Sequence, residues 1–101
     1  MENFKEIIEG KEPVLVDFYA TWCGPCKMMH STINELSKDM EGKVRILKVD
    51  IDKNNATANK YRIQTVPTFI LFKEGEIKWR SSGVMDKRTL INAINPFIGE
   101  N

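Results

Sequence analysis

One segment constrains the fold more than any other, a dense apolar run at residues 14–20. It consists of Val-Leu-Val-Asp-Phe-Tyr-Ala, and its only charged residue is Asp17. Successive side chains of a strand point to opposite faces, so a run without polar alternation indicates a strand buried on both faces. Such strands occur where helices cover both sides of a sheet. The segment therefore predicts an α/β protein with helices on both faces of its sheet.

The remaining segments alternate between helical and extended patterns. Helices are predicted from Asn3 to Gly10, from Cys23 to Gly42, from Asn54 or Asn55 to Tyr61, and from Asp86 to about Asn95. Further strands are predicted at residues 44–50, 68–73 and 76–82. Strands separated by helices pair in parallel, whereas a hairpin adds an antiparallel pair. The order αβαβαββα thus predicts a mixed four-stranded sheet flanked by helices.

Composition excludes several classes of protein. The length of 101 residues predicts one domain over 1–101. The 15 Lys+Arg and 14 Asp+Glu residues leave a net charge of +1. This balance lacks the basic stripe that is typical of proteins that bind nucleic acid. No apolar run approaches the ~20 residues that span a bilayer. The charged start, residues 1–12, lacks the apolar core of a secretion signal. We therefore expect a cytoplasmic protein, a monomer that binds neither nucleic acid nor membrane.

The two cysteines form one pair, Cys23 and Cys26, between the buried strand and the next helix. This spacing allows a disulfide ring, and the positive end of the helix dipole stabilises a thiolate there. Cys23, expected at the exposed tip, is the predicted nucleophile, and the less accessible Cys26 is the predicted resolving thiol. Gly24 permits the tight turn, and Pro25 suits the first helical turn, where its missing N–H matters little.

Three other uses of a cysteine pair stand as alternatives. An idle buried pair is the simplest. A zinc site is suggested by the C-x2-C-x3-H spacing of Cys23, Cys26 and His30, but structural zinc takes four ligands and the chain has no second pair. Haem attachment requires histidine directly after the second cysteine, where Lys27 stands. His30 is expected to be an exposed helix residue.

Longer motifs point to one family. Residues 17–28, Asp-Phe-Tyr-Ala-Thr-Trp-Cys-Gly-Pro-Cys-Lys-Met, resemble the active-site segment of thioredoxins. Residues 66–68 and 72–75 resemble the second signature of that family, and residues 48–50 and 82–83 fall at matching positions. The resemblance covers nearly the whole chain. It implies a thioredoxin-like three-layer fold and a protein-disulfide reductase, a redox carrier that serves cell redox homeostasis and electron transport.

The resemblance also implies a substrate-binding surface. Pro67 matches the family's cis-proline, which faces the redox pair, and X–Pro bonds are essentially the only ones that become cis. Such a turn leaves the backbone of Val66 free to pair with an extended substrate segment. Trp22, Val66, Pro67 and Gly83 then frame a shallow apolar groove for the disulfide of another protein. Gly24 and Pro25 are also expected to bind this substrate.

Asp17 and Lys48 are the other implied catalytic residues. Burial of an acid in an apolar strand raises its pKa. In the family geometry Asp17 points at the underside of the helix start, where it takes the proton from Cys26 through a water. Lys48 resembles the family's buried partner of this acid, and a nearby cation lowers the pKa of Asp17. Which of the two effects prevails is left open by the sequence.

Three departures from the family pattern give further expectations. The chain starts almost at the first helix, so the family's N-terminal strand is expected to be absent and the strand with Arg45 and Lys48 to be a sheet edge. Cations discourage pairing at an edge, but Lys48 cannot both guard an edge and pair with Asp17. Ser31 replaces a helix-kinking proline, which predicts a straighter helix. Tyr19 replaces a tryptophan and alters the packing over Asp17.

Partners and competing functions follow from the same resemblance. A thioredoxin reductase recharges such proteins from NADPH, and peroxiredoxins or ribonucleotide reductases accept their electrons. No bound cofactor is expected, because the electrons reside on Cys23 and Cys26. A thiol oxidase or isomerase on the same fold is the first alternative, although such proteins favour a charged histidine between the cysteines. A non-catalytic binding module is the second.

Overall fold

The structure is a computed structural model and describes residues 3–99. Its helices are α1 (Phe4–Ile8), α2 (Gly24–Asp39), α3 (Asn55–Lys60) and α4 (Lys87–Ile94), followed by a 3-10 turn at Asn95–Phe97. Its strands are β1 (Val14–Tyr19), β2 (Arg45–Asp50), β3 (Thr68–Lys73) and β4 (Glu76–Ser82). The predicted element order is confirmed. Residues 1–2 and 100–101 of the predicted single domain lie outside the described residues.

Capping side chains begin two of the helices, as predicted. Asn3 Oδ1 accepts a hydrogen bond from the Glu6 backbone N–H at 2.8 Å. Asp86 Oδ1 accepts one from the Thr89 backbone N–H at 2.9 Å. Each side chain satisfies one of the N–H groups that a helix start leaves without an intrahelical partner. Asn54 precedes α3 without such a bond, and its side-chain Nδ2 donates to the Asp50 carbonyl at 3.0 Å.

The four strands form one mixed sheet in the order β2-β1-β3-β4. β1 pairs in parallel with β2, and Asp17 stands opposite Lys48 in that register. β1 pairs antiparallel with β3, which in turn forms the antiparallel hairpin with β4. Within residues 3–99, β2 is therefore an edge strand, as predicted. Residues opposite one another in register project to the same face, so Asp17 and Lys48 share one side of the sheet.

Two apolar cores lie on opposite faces of the sheet. On one face Leu15 packs with residues of α2 and α4, among them Leu36 and Leu90. On the other face Val16 and neighbouring strand residues pack against α1 and the region around α3. β1 thus contributes to both cores, which confirms the three-layer arrangement. Asp17 alternates with Val16 and so faces α2.

Helix α2 spans Gly24–Asp39 without interruption, including Ser31. Its curvature relative to proline-containing relatives stays a prediction. No helix in the described part of the chain is long and apolar enough to cross a membrane.

Candidate active site

The cysteine pair lies between the end of β1 and the first turn of α2. After β1 the chain turns, and the Cys23 backbone N–H donates to the Ala20 carbonyl at 3.2 Å. Cys23 is the N-cap of α2 and is joined to Cys26 by a disulfide, with their Cα atoms 5.2 Å apart. Cys23 Sγ accepts a hydrogen bond from the Cys26 backbone N–H at 3.1 Å. In the reduced protein this bond and the helix dipole both stabilise negative charge on Cys23.

The expected accessibility of the two cysteines was wrong. Cys23 is 4% exposed, whereas Cys26 is only half-buried. The difference arises because the loop before β3 covers Cys23, and the Val66 carbonyl oxygen lies 3.6 Å from its Sγ. Cys26 instead borders a separate cavity below the helix start. The basis for distinguishing the two sulfurs is therefore the N-cap hydrogen bond, not exposure.

The loop that covers Cys23 contains a cis peptide bond. The Val66–Pro67 bond is cis, as the resemblance implied. The Pro67 carbonyl accepts a hydrogen bond from the Gly83 N–H at 2.9 Å, which ties the turn after β4 to this loop. Gly83 has a φ of +97°, a conformation that side chains disfavour. Pro67 and Gly83 thus support the position of Val66 beside Cys23.

A shallow groove of about 390 Å³ adjoins Cys23. Four of the predicted substrate-binding residues, Trp22, Gly24, Pro25 and Val66, line it. Pro67 and Gly83 are not part of this lining. The residues that sequence reasoning missed are Ile51, Gln64 and Thr65. Ile51 directly follows β2, so the rule that ligands bind beyond the carboxyl ends of parallel strands is the signal that could have found it.

Trp22 is the most prominent apolar side chain of this surface. It is 67% exposed. Its indole Nε1 donates to Asp52 Oδ2 at 2.9 Å, in the segment after β2. Large exposed apolar groups are typical of surfaces that bind another protein. The hydrogen bond fixes the orientation of the ring beside the disulfide.

Asp17 lies beneath the helix start, on the α2 side of the sheet. It is 6% exposed, and within the described residues its Oδ1 atom has no hydrogen-bond partner. Asp17 and Cys26 line the same cavity of about 250 Å³, to which Tyr19 also contributes. Burial raises the pKa of Asp17 to about 6, and the charge of Lys48 lowers it by a smaller amount. Burial therefore prevails over the cation.

Lys48 does not take the position implied by the resemblance. Its side chain is exposed rather than buried, and it forms no ion pair with Asp17 among the residues that the structure describes. Lys48 Nζ instead lies 3.2 Å from His30 Nδ1. Lys48 and His30 both line the Asp17 cavity. Lys48 therefore acts on Asp17 by a longer-range electrostatic interaction and not by a direct ion pair. His30 is exposed, as expected.

The zinc alternative requires ligating side chains grouped around one point. Within residues 3–99 no group of three or more His, Cys, Asp or Glu side chains is arranged to hold a metal ion. Cys23 and Cys26 are joined to each other, so their sulfurs are not thiolate ligands in this state.

A disulfide at the start of a helix, facing a cis-proline in a three-layer α/β fold, defines a thiol–disulfide oxidoreductase. The family model for thioredoxin matches residues 1–96. The chain belongs to the thioredoxin family and is a protein-disulfide reductase. Proteins of this family act through their redox-active disulfide and need no prosthetic group.

Individual relatives agree with this assignment. Thioredoxin from Rickettsia conorii is 49% identical over 94 residues, which cover 93% of this chain and 90% of the relative. Thioredoxin from Rickettsia prowazekii is 46% identical over 97 residues, covering 95% and 92%.

Solved structures show the same fold. A mutant thioredoxin from Halobacterium salinarum NRC-1 superposes with a TM-score of 0.86 at 32% identity, covering 96% of this chain and 84% of that one. Oxidised mitochondrial thioredoxin 3 from Saccharomyces cerevisiae gives a TM-score of 0.83 at 33% identity, covering 92% and 86%. The match over nearly the whole chain confirms the predicted thioredoxin-like fold.

Proposed function

We propose that Cys23 is the nucleophile and Cys26 the resolving thiol of this reductase. The observation that supports this assignment most directly is the hydrogen bond from the Cys26 N–H to Cys23 Sγ at 3.1 Å. It lies at the N-terminus of α2, where backbone N–H groups lack intrahelical partners. A thiolate accepts such a bond more strongly than a thiol, so the bond favours the reactive form of Cys23.

The reaction transfers two electrons in two exchanges. The Cys23 thiolate attacks one sulfur of a client disulfide, so a Cys23–client bond forms, the client's own S–S bond breaks, and a client thiolate leaves. The Cys26 thiolate then attacks Cys23 Sγ. The Cys23–Cys26 bond forms, the mixed disulfide breaks, and the client departs with both sulfurs reduced. The protein is left oxidised.

Asp17 takes the proton that Cys26 loses. Both groups line the same cavity of about 250 Å³. A water needs only ~10–15 Å³ of such space, so the cavity has room for the water that would carry this proton. A base works best when its pKa lies near the working pH. Burial raises the pKa of Asp17 to about 6, which meets that condition more closely than an ordinary carboxyl group does.

Client proteins bind along the groove next to Cys23. Trp22, Gly24, Pro25 and Val66 supply its surface, and its lining is mainly apolar. An extended client segment adds to this backbone as a strand does, while its disulfide reaches Cys23. Pro67 acts by shaping the loop that presents Val66, and Gly83 by supporting Pro67.

Family membership supports a set of partners and a setting for this chemistry. A thioredoxin reductase that draws on NADPH returns electrons to the Cys23–Cys26 disulfide. Client proteins such as peroxiredoxins or ribonucleotide reductase take them. The relatives from Rickettsia are bacterial proteins, which favours the cytoplasm as the compartment. The chain acts as a monomer formed by one domain.

Trapping of the mixed disulfide tests the assignment of the two cysteines. Cys26→Ser keeps the nucleophile and removes the resolving thiol, so it should accumulate a covalent complex with insulin that a reducing agent dissolves. Cys23→Ser should form no such complex. The reverse result would assign the nucleophile to Cys26. Neither variant should reduce insulin. A non-catalytic binding module, by contrast, would still bind its partner after either cysteine is replaced.

A further inference from the structure

His30 and Lys48 meet at the mouth of the Asp17 cavity. His30 follows Cys26 by one helical turn on α2, and its Nδ1 lies 3.2 Å from Lys48 Nζ on β2. Both side chains are exposed, and both line the cavity that also contains Asp17 and Cys26. This contact therefore borders the space used by the proposed proton transfer, although neither the redox pair nor the client groove includes it.

The direction of this hydrogen bond follows from the chemistry of its two groups. A lysine ammonium group has three donors and no acceptor, so Lys48 Nζ donates and His30 Nδ1 accepts. An imidazole that accepts at Nδ1 is neutral and carries its proton on Nε2. Protonation at Nδ1 would remove the acceptor and bring two cations together. Lys48 is thus the donor of this contact and His30 the acceptor.

Lys48 needs an anchor to act on Asp17. Its charge opposes the effect of burial on the pKa of Asp17, yet the two side chains form no ion pair in the described residues. A lysine ammonium on its flexible four-carbon chain is free to turn towards water. The hydrogen bond to His30 is the contact that keeps the charge over the cavity.

We propose that His30 is a positioning residue for the redox reaction, because its Nδ1 holds the Lys48 ammonium group over the cavity that contains Asp17. The inference rests on the proposed role of Asp17 as the base for Cys26. With Lys48 in place, the ionised carboxylate is favoured and accepts the Cys26 proton over a wider range of pH. Besides Asp17, His30 and Lys48, the residues with ionisable side chains that line this cavity are Tyr19 from β1 and Cys26 and Lys27 from α2.

Titration of Asp17 in the oxidised protein tests this role without any turnover. His30→Ala should raise the pKa of the Asp17 carboxyl group, followed by carbon NMR, by at least ~0.3 units because the opposing charge moves away. The variant should fold, since His30 is exposed and alanine is the best helix former. His30→Gln keeps an acceptor for Lys48 and should restore the original value. Asn34→Ala, an exposed site one turn further along α2, is the matched control.

A double-mutant cycle separates positioning from a direct effect of the ring. If His30 acts through Lys48, His30→Ala should leave the pKa of Asp17 unchanged in a Lys48→Gln background. An equal shift in both backgrounds would overturn the proposal, since the ring would then act on Asp17 by its own charge. If His30→Ala alone leaves the pKa of Asp17 unchanged, the proposal is also overturned. A lower pKa of Asp17 in this variant would overturn it as well, because it would mean that His30 only shields the carboxyl group from water.

The kinetics of the resolving step distinguish a failure of this inference from a failure of the proposed function. The pH midpoint of the resolving step should move upward in His30→Ala by the same amount as the pKa of Asp17. If Asp17→Asn leaves the resolving rate unchanged, the proposed base is wrong even where the NMR shift is found. If the NMR shift is missing while Asp17→Asn slows the resolving step, the proposed base stands and the role of His30 is wrong.

Discussion

Replacement of Asp17 by asparagine should make the protein more stable at neutral pH. The Asp17 carboxyl group is buried, and within the described residues its Oδ1 atom has no hydrogen-bond partner. A buried charge without a close partner costs free energy in the folded state. Asp17→Asn keeps the shape of the side chain and removes its charge. The same change removes the proposed base, so stability and resolving rate should move in opposite directions.

The raised pKa sets the size of this effect. Asp17 has a pKa of about 6 in the folded protein against an ordinary value of 3.8. At about 1.4 kcal/mol per pKa unit, ionisation of Asp17 destabilises the folded state by about 3 kcal/mol at neutral pH. The folded state binds more protons than the unfolded state between these two pKa values. The contribution of Asp17 to stability is therefore fully present below pH 3.8 and is lost as pH rises through about 6.

Urea unfolding of the oxidised protein measures this effect. The free energy of unfolding is determined for wild type and Asp17→Asn from about pH 4 to about pH 8, and their difference isolates Asp17 from other carboxyl groups. The advantage of the variant should grow by about 2.4 kcal/mol over this range, because about 0.6 kcal/mol of the effect is already present at pH 4, and it should level off above about pH 7. A difference that stays constant or shrinks with rising pH would refute the assignment of a raised pKa to Asp17.

Two further changes test the core and the client surface. Leu36→Ala leaves a cavity at a fully buried position of the core that contains residues of α2 and α4. It should lower the free energy of unfolding by about 2–5 kcal/mol. Ser37→Ala, at the exposed neighbouring position, is the control and should change this free energy by less than about 0.5 kcal/mol. Asp52→Ala removes the acceptor of the Trp22 indole and should raise the KM for a protein disulfide about three-fold with little change in kcat. An unchanged KM would show that this hydrogen bond does not prepare Trp22 for client binding.

Local patterns predicted most of the fold. The apolar run around Asp17 identified β1 as a strand buried on both faces, because that property depends on the segment itself. The caps Asn3 and Asp86 were predictable for the same reason, since each bonds a backbone group three residues away. The motif around Cys23 and Cys26 then specified the family and with it the arrangement of the layers.

Features that depend on distant parts of the chain were not predictable in this way. Cys23 is buried because Val66, 43 residues later, approaches its sulfur. His30 and Lys48 meet only because β2 pairs with β1 beside α2. The pKa of Asp17 depends on the balance between its burial and the distance of Lys48, neither of which a sequence pattern contains. Each of these properties depends on how elements that are distant in the sequence pack around the site.

The reduction potential of the Cys23–Cys26 pair tests most directly whether this protein gives electrons to client disulfides. The pair is equilibrated with defined thiol–disulfide buffers, and the reduced fraction is followed by the fluorescence of the adjacent Trp22. A potential well below that of the glutathione couple is predicted, because a reductase must pass its electrons on. A potential well above that couple would contradict the reductase function and indicate a thiol oxidase or isomerase on the same fold.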